Sequence, residues 1–118
     1  MTASKNEKAF TSYVVELMQS IGPVRAKGMF GGHGIFLEGL MFGLVADSVL
    51  YFKVDKDTEN EFKTKGLEAF SYNKKGKEIK MSYYEAPEEA LENDEEMKCW
   101  ATKAYLTALR AASKKRNL

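Results

Sequence analysis

Along the first twenty residues, apolar side chains recur three or four positions apart: Phe10, Tyr13, Val14, Leu17, Met18 and Ile21. That period places them on one face of a helix and predicts a helix over Lys5 to Ser20. Gly22-Pro23 ends the pattern, because glycine accepts a helix-terminating geometry and proline has no amide hydrogen to continue the ladder. From Met29 onward the period shortens. Ile35-Phe36-Leu37, Leu40 to Ala46 and Val49 to Val54 are short apolar runs separated by Glu38-Gly39 and Asp47-Ser48. Links of two residues join only adjacent, reversed strands, so this segment predicts an antiparallel meander with tight turns at those pairs. In its last strand Leu50, Phe52 and Val54 share one face, with Tyr51 and Lys53 on the other.

Asp55-Lys56-Asp57-Thr58 predicts a helix start, with Asp55 or Asp57 capping it and Phe62 and Leu67 supplying its burial. Phe70 and Tyr72 predict a short strand, and Asn73 to Lys77 a basic loop. Glu78 to Tyr84 alternates, with Ile79, Met81 and Tyr83 on one face and Lys80, Ser82 and Tyr84 on the other. One of the two adjacent tyrosines is expected in the core, and Tyr84 is the candidate exposed anchor. Ala86-Pro87-Glu88-Glu89 predicts a short helical turn. Asn93 or Asp94 can cap a final helix from Glu95 to Ala112, packing through Met97, Trp100, Ala101, Ala104, Tyr105, Ala108 and Leu109. The expected fold is α+β: an antiparallel meander sheet with N-terminal and C-terminal helices packed on it. It is read as one domain over residues 1–118, with its core at 8–112 and a short basic tail at 113–118.

Composition narrows the partners. A hydrophobic content of 44% fills a core without disulfides or a structural metal. Eighteen basic residues against 17 acidic ones give a net charge of +1, which argues against strong general affinity for nucleic acid but leaves room for a local patch. Cys99 is the lone cysteine, so no intrachain disulfide can form, and a cytoplasmic location is expected. The most apolar stretch, Ile35 to Phe52, is interrupted by Glu38, Asp47 and glycines, and no membrane span is expected.

Several residues invite chemical readings. Gly31-Gly32-His33-Gly34 resembles a loop whose amides can cradle a phosphate. Yet no Lys-Ser or Lys-Thr follows it, and what comes next has a strand pattern where a nucleotide fingerprint opens a helix. Glycines that permit close strand packing are the preferred reading. His33 is the only histidine and has no local catalytic partner, while Cys99 beside Trp100 reads as inert. The acidic run from Glu85 to Glu96 lacks the ligand alternation of a calcium loop and suits helix N-termini. Three basic clusters remain: Arg25 with Lys27; Lys74, Lys75 and Lys77; and the tail of Arg110, Lys114, Lys115 and Arg116. If two of them converge they can contact phosphate or an acidic protein surface.

Two ordered blocks carry a further signal. The first is Met29-Phe30-Gly31-Gly32-His33-Gly34-Ile35-Phe36 with Gly39 to Ala46 and Leu50 to Asp55; the second is Met81 to Glu89 with Trp100-Ala101 after it. Together they resemble the N-terminal domain of the TfoX/Sxy family of competence regulators, over residues 8–112. The resemblance implies an α+β domain in which Met29, Phe30, Gly31, Gly32, Gly34, Gly39, Met41, Phe42, Tyr51, Lys53 and Trp100 are scaffold residues. It also implies a transcriptional coactivator that works with the cyclic-AMP receptor protein, without catalytic residues or a cofactor. Ala26-Lys27-Gly28 stands where the family often has paired arginines, and Thr102 where a base often follows the Trp-Ala pair. Full regulators carry a second, helical domain for which 118 residues leave no room.

The leading expectation is therefore a non-enzymatic regulatory or protein-interaction domain with a partner in the transcription machinery. Its candidate surface is Arg25, Lys27, His33, Lys74, Lys75, Lys77, Tyr84, Arg110, Lys114, Lys115 and Arg116. The alternatives are a small anion- or nucleotide-binding domain or enzyme using the glycine segment and His33, and a weak nucleic-acid module using the basic clusters.

Overall fold

The computed structural model describes residues 5–29 and 31–116, with side chains through Lys114, so Phe30 and the side chains of Lys115 and Arg116 lie outside the described residues. Helix α1 spans Lys5–Leu17 and continues as a 3₁₀ turn, Gln19–Ile21. The α-helix ends earlier than its apolar period suggests because the Met18 amide is shared between the carbonyls of Val14 (3.2 Å) and Val15 (3.1 Å), which tightens the last turn. Gly22 follows at φ 141°, a conformation open to glycine and strained for other residues.

Six antiparallel strands form one sheet: β1 (Arg25–Met29), β2 (Gly32–Leu37), β3 (Leu40–Ala46), β4 (Val49–Lys53), β5 (Ala69–Lys74) and β6 (Lys77–Glu85), in the order β1-β2-β3-β4-β6-β5. The meander β2–β4 is as its apolar runs predict. Glu38-Gly39 and Asp47-Ser48 both have positive φ at their two central residues, the twist-matched geometry for two-residue hairpins.

Three expectations need correction. Gly32, His33 and Gly34 are not a loop but the first residues of β2, paired with β1 and, from His33 on, with β3. Arg25 to Met29, read only as a basic patch, is an edge strand. The basic loop at Asn73 to Lys77 contracts to the turn Lys75-Gly76, with Lys74 and Lys77 as paired strand residues.

Helix α2 (Glu59–Thr64) is short, and α3 (Asp94–Arg116) is long. Asp55 organises the approach to α2, its Oδ1 accepting hydrogen bonds from the amides of Asp57 (3.0 Å) and Thr58 (3.1 Å). Asn93 caps α3 by accepting from the Glu96 amide at 2.9 Å. All three helices contribute to one core on one side of the sheet. There Val14 of α1, Met18 just past its end, Phe62 of α2 and Met97, Ala101, Ala104 and Ala108 of α3 pack on Ile35, Phe42, Val45, Leu50, Phe52 and Tyr84. Each large side chain so buried contributes roughly 1.5–3 kcal/mol. Leu109, expected on the packing face, is 41% exposed; Thr107 faces inward instead, its hydroxyl satisfied by the Lys103 carbonyl at 2.8 Å. Phe42 meets Tyr105 edge-on, and Phe62 meets Trp100 in the same way.

Candidate functional site

The side of the sheet away from the helices has a different character. Strand alternation and register place Arg25, Lys27 and Met29 of β1 beside Gly34 and Phe36 of β2, then Met41 and Leu44 of β3. They continue through Tyr51 and Lys53 of β4 and Lys77, Ile79, Met81 and Tyr83 of β6 to Phe70, Tyr72 and Lys74 of β5. An added methyl at Gly34 meets the Met29 sulfur at 2.6 Å, Phe36 at 2.8 Å and the Met41 sulfur at 3.2 Å, so these three side chains fold over it. Tyr51 meets Phe70 edge-on at 5.1 Å, and Phe70 meets Tyr72 at 6.3 Å. Tyr72 is 43% exposed.

Tyr83 lies flatter. Its hydroxyl reaches across β4 towards the Met41 carbonyl at 3.5 Å, and burial pushes its phenol up to about 12. The Lys53 ammonium stands 5.3 Å from that ring and donates to the Ser82 hydroxyl at 2.8 Å. Burial also raises the Tyr51 phenol, helped by the charges of Glu85, Asp47 and Glu68.

Two of the three basic clusters thus fall on one face of the sheet, at its two opposite edges. Arg25, Lys27, Lys74 and Lys77 share this open face, with Lys53 between them. Lys75 sits in the turn at its margin. The tail does not join them: the Arg110 guanidinium on α3 is engaged by Asp55, with Nε and Nη2 at 3.2 and 3.0 Å from Oδ2. Lys114 lines a separate groove with Lys56 and Glu59 that reaches Lys53 at the sheet margin. Burial pushes the Asp55 carboxyl up, but the Arg110 and backbone hydrogen bonds outweigh it and hold it below its ordinary value.

Tyr84 is corrected. It is 9% exposed and belongs to the helix-covered core, with its hydroxyl 3.3 Å from the Glu59 carboxylate. Trp100 is likewise interior, with the Lys103 ammonium 4.5 Å from its ring.

His33 also faces the helices. Its Nδ1 stands 3.4 Å from both the Glu7 carboxylate and the Thr11 hydroxyl of α1. The Thr11 hydroxyl donates to the Glu7 carbonyl at 2.8 Å, which leaves its oxygen as an acceptor towards the ring. The second Glu7 oxygen accepts from the Ser48 amide at 3.3 Å. This buried cluster ties α1 to β2 and to the β3–β4 turn, beneath an open groove of about 630 Å³ lined by Thr11, Ser12, Val15, Ala26 and His33. A buried Glu7 carries no helical period and escapes a sequence reading, since its partner lies 26 positions away. Among the described residues, no three His, Cys, Asp or Glu side chains converge as metal ligands, and no helix is long and apolar enough to cross a membrane.

A helix-backed antiparallel sheet with an open aromatic and basic face defines a small α+β module built to present a surface. The TfoX N-terminal domain matches residues 16–108, and this chain belongs to that family. It is 33% identical over 82 residues to the DNA transformation protein TfoX1 of Aliivibrio fischeri (strain ATCC 700601 / ES114). That match covers 70% of this chain and 37% of the relative.

Proposed function

We propose that this chain is a non-enzymatic regulatory module that acts by binding, through the open face of its sheet, a macromolecular partner in transcription control. The observation that carries the reading is that Arg25, Lys27, Lys53, Lys74 and Lys77 share one face of the sheet with exposed and half-exposed aromatic rings. Aromatic rings left partly open to solvent among cations are a common mark of an interaction site. Membership of the TfoX family, and the name of the relative as a DNA transformation protein, favour a role in regulating competence genes, with the cyclic-AMP receptor protein as the first candidate partner.

The test is transcription from a competence promoter in cells making the wild-type chain or its Tyr72→Ala and Lys74→Ala/Lys77→Ala variants. Binding to purified cyclic-AMP receptor protein is measured alongside. Loss of promoter output in the face variants, with folding intact, supports the reading. Unchanged output in all of them defeats it.

A second reading is favoured by the Glu7–His33 pair under the α1 groove, where Thr11, Ser12 and His33 set polar groups in a mostly apolar lining. Ligand binding that survives His33→Ala removes the histidine from that reading.

A further inference from the structure

We infer that the open sheet face takes single-stranded DNA. The inference rests on the reading that this face is the binding surface, and it names the partner's chemistry. A single strand offers what the face is built to complement: a chain of phosphates and a series of flat, unstacked bases.

Cations and rings are interleaved here. Tyr51, Phe70 and Tyr72 form a file of contacting rings across the β4, β6 and β5 strands, with Phe36 on β2 beyond them. Bases stack on such rings whatever their identity. Arg25 and Lys27 border the file on the β1 edge, and Lys74 and Lys77 on the β5–β6 side, which places positive charge at both margins. Six strands spaced by about 4.8 Å make this platform about 24 Å wide, enough for a single strand of a few nucleotides.

The acids are placed apart. Of the described strand residues, Glu85 is the one acid on this face, and it stands with Asp47 and Glu68 beside Tyr51 at the β3–β4 turn end. Arg25, Lys53 and Lys74 lie towards the opposite end, so the net charge of +1 conceals a polarised surface. A polyanion is favoured over an acidic protein because the rings lie among the cations.

DNA is favoured over RNA by the side chains of the face. Met29, Met41 and Met81 offer apolar contact to the methyl group that thymine carries and uracil lacks. Duplex DNA hides the base faces that the ring file would stack on.

The experiment is fluorescence anisotropy with labelled oligothymidylate, oligouridylate of equal length, and a duplex, across a salt series. Binding of oligothymidylate tightest of the three is expected. Tyr72→Ala should weaken it roughly 5- to 150-fold, the range for one stacked base. Lys74→Ala/Lys77→Ala should flatten the slope of log affinity against log salt by about 1.4, or about 0.7 for each phosphate no longer neutralised. Leu106→Ala, on the exposed face of α3, should change nothing. All four sites are exposed, and circular dichroism checks their folding.

No binding at roughly 100 μM protein in low salt overturns the inference. So does duplex binding as tight as single-strand binding and indifferent to Tyr72→Ala, or tighter binding of the RNA. A dimer in sedimentation that Tyr72→Ala dissolves, with no DNA bound, reassigns the face to a second copy of this chain. If DNA binding fails while the face variants still abolish promoter output, the inference falls alone. If the variants affect neither, the regulatory reading falls with it.

Discussion

The two faces of this sheet come from the same six strands and follow different rules. On the covered face, Ile35, Phe42, Val45, Leu50 and Phe52 are at most 2% exposed and pack in one core with residues of α1 and α3, Phe42 edge-on to Tyr105. Their identity is set by volume and fit. On the open face, an antiparallel sheet ordinarily turns polar residues to water. Here it keeps Phe36, Tyr51, Phe70 and Tyr72, with arginine and lysines set among them. Packing explains one face, and binding is the economical explanation of the other.

The sharpest way to break that contrast is to truncate one ring on each face. Phe52→Ala should cost about 3–5 kcal/mol in urea denaturation, whereas Tyr72→Ala should cost less than about 1 kcal/mol. Equal losses would mean that the open face carries the fold after all.

Glycines refine it. A methyl at Gly32 collides with the backbone carbonyl of Val45, which cannot move without breaking the ladder, while at Gly34 it meets the ends of Met29, Phe36 and Met41. Gly32→Ala should therefore cost about 2–3 kcal/mol and Gly34→Ala about 1 kcal/mol or less, read from the same unfolding curves.

Titration separates the faces further. The Tyr83 phenol is raised from 10.0 to about 12 by burial, so its contribution is intact below pH 10 and is lost as pH rises towards 12. The loss should be on the order of 2 kcal/mol, and Tyr83→Phe should abolish that part of the alkaline decline.

The smallest effect belongs to Asp55, whose carboxyl is held below its ordinary value of 3.8. Its contribution is present above that value and fades as pH falls through the lower folded one. Asp55→Asn should cost under about 1 kcal/mol at neutral pH, measured by thermal melting, because the Arg110 pair is partly exposed.

Much of the covered face is legible in the sequence because its signals are local. Leu50, Phe52 and Val54 alternate within one strand, and Glu38-Gly39 and Asp47-Ser48 sit between apolar runs as hairpin pairs must. The N-terminal helix and Asn93 at the start of α3 are readable for the same reason. Strand β1 is not, since an edge strand exposed at Arg25, Ala26, Lys27 and Gly28 shows no apolar alternation. Tyr84 defeats a local reading because Tyr83 and Tyr84 do point to opposite faces, yet both are buried, at 7% and 9% exposed. The open site depends on β6 pairing with both β4 and β5, whose register puts Lys74 and Lys77 on the face that carries Arg25, at the opposite edge. No local pattern encodes that strand order. The Glu7–His33 pairing is hidden for the same reason.

The β5–β6 hairpin has a kinetic consequence. β6 is registered with β4 only from Tyr83 to Glu85, and the Ser82 carbonyl still accepts from the Val54 amide, so its stretch from Lys77 to Lys80 is laddered to β5 alone, ending in the Lys75-Gly76 turn. An arm tied along one side opens before the body of the sheet does. Its amide protons should exchange with solvent ahead of those of β3, which is bonded on both sides. The arm is thus a built-in reporter: whatever settles on the lysines at its tip will slow its exchange first.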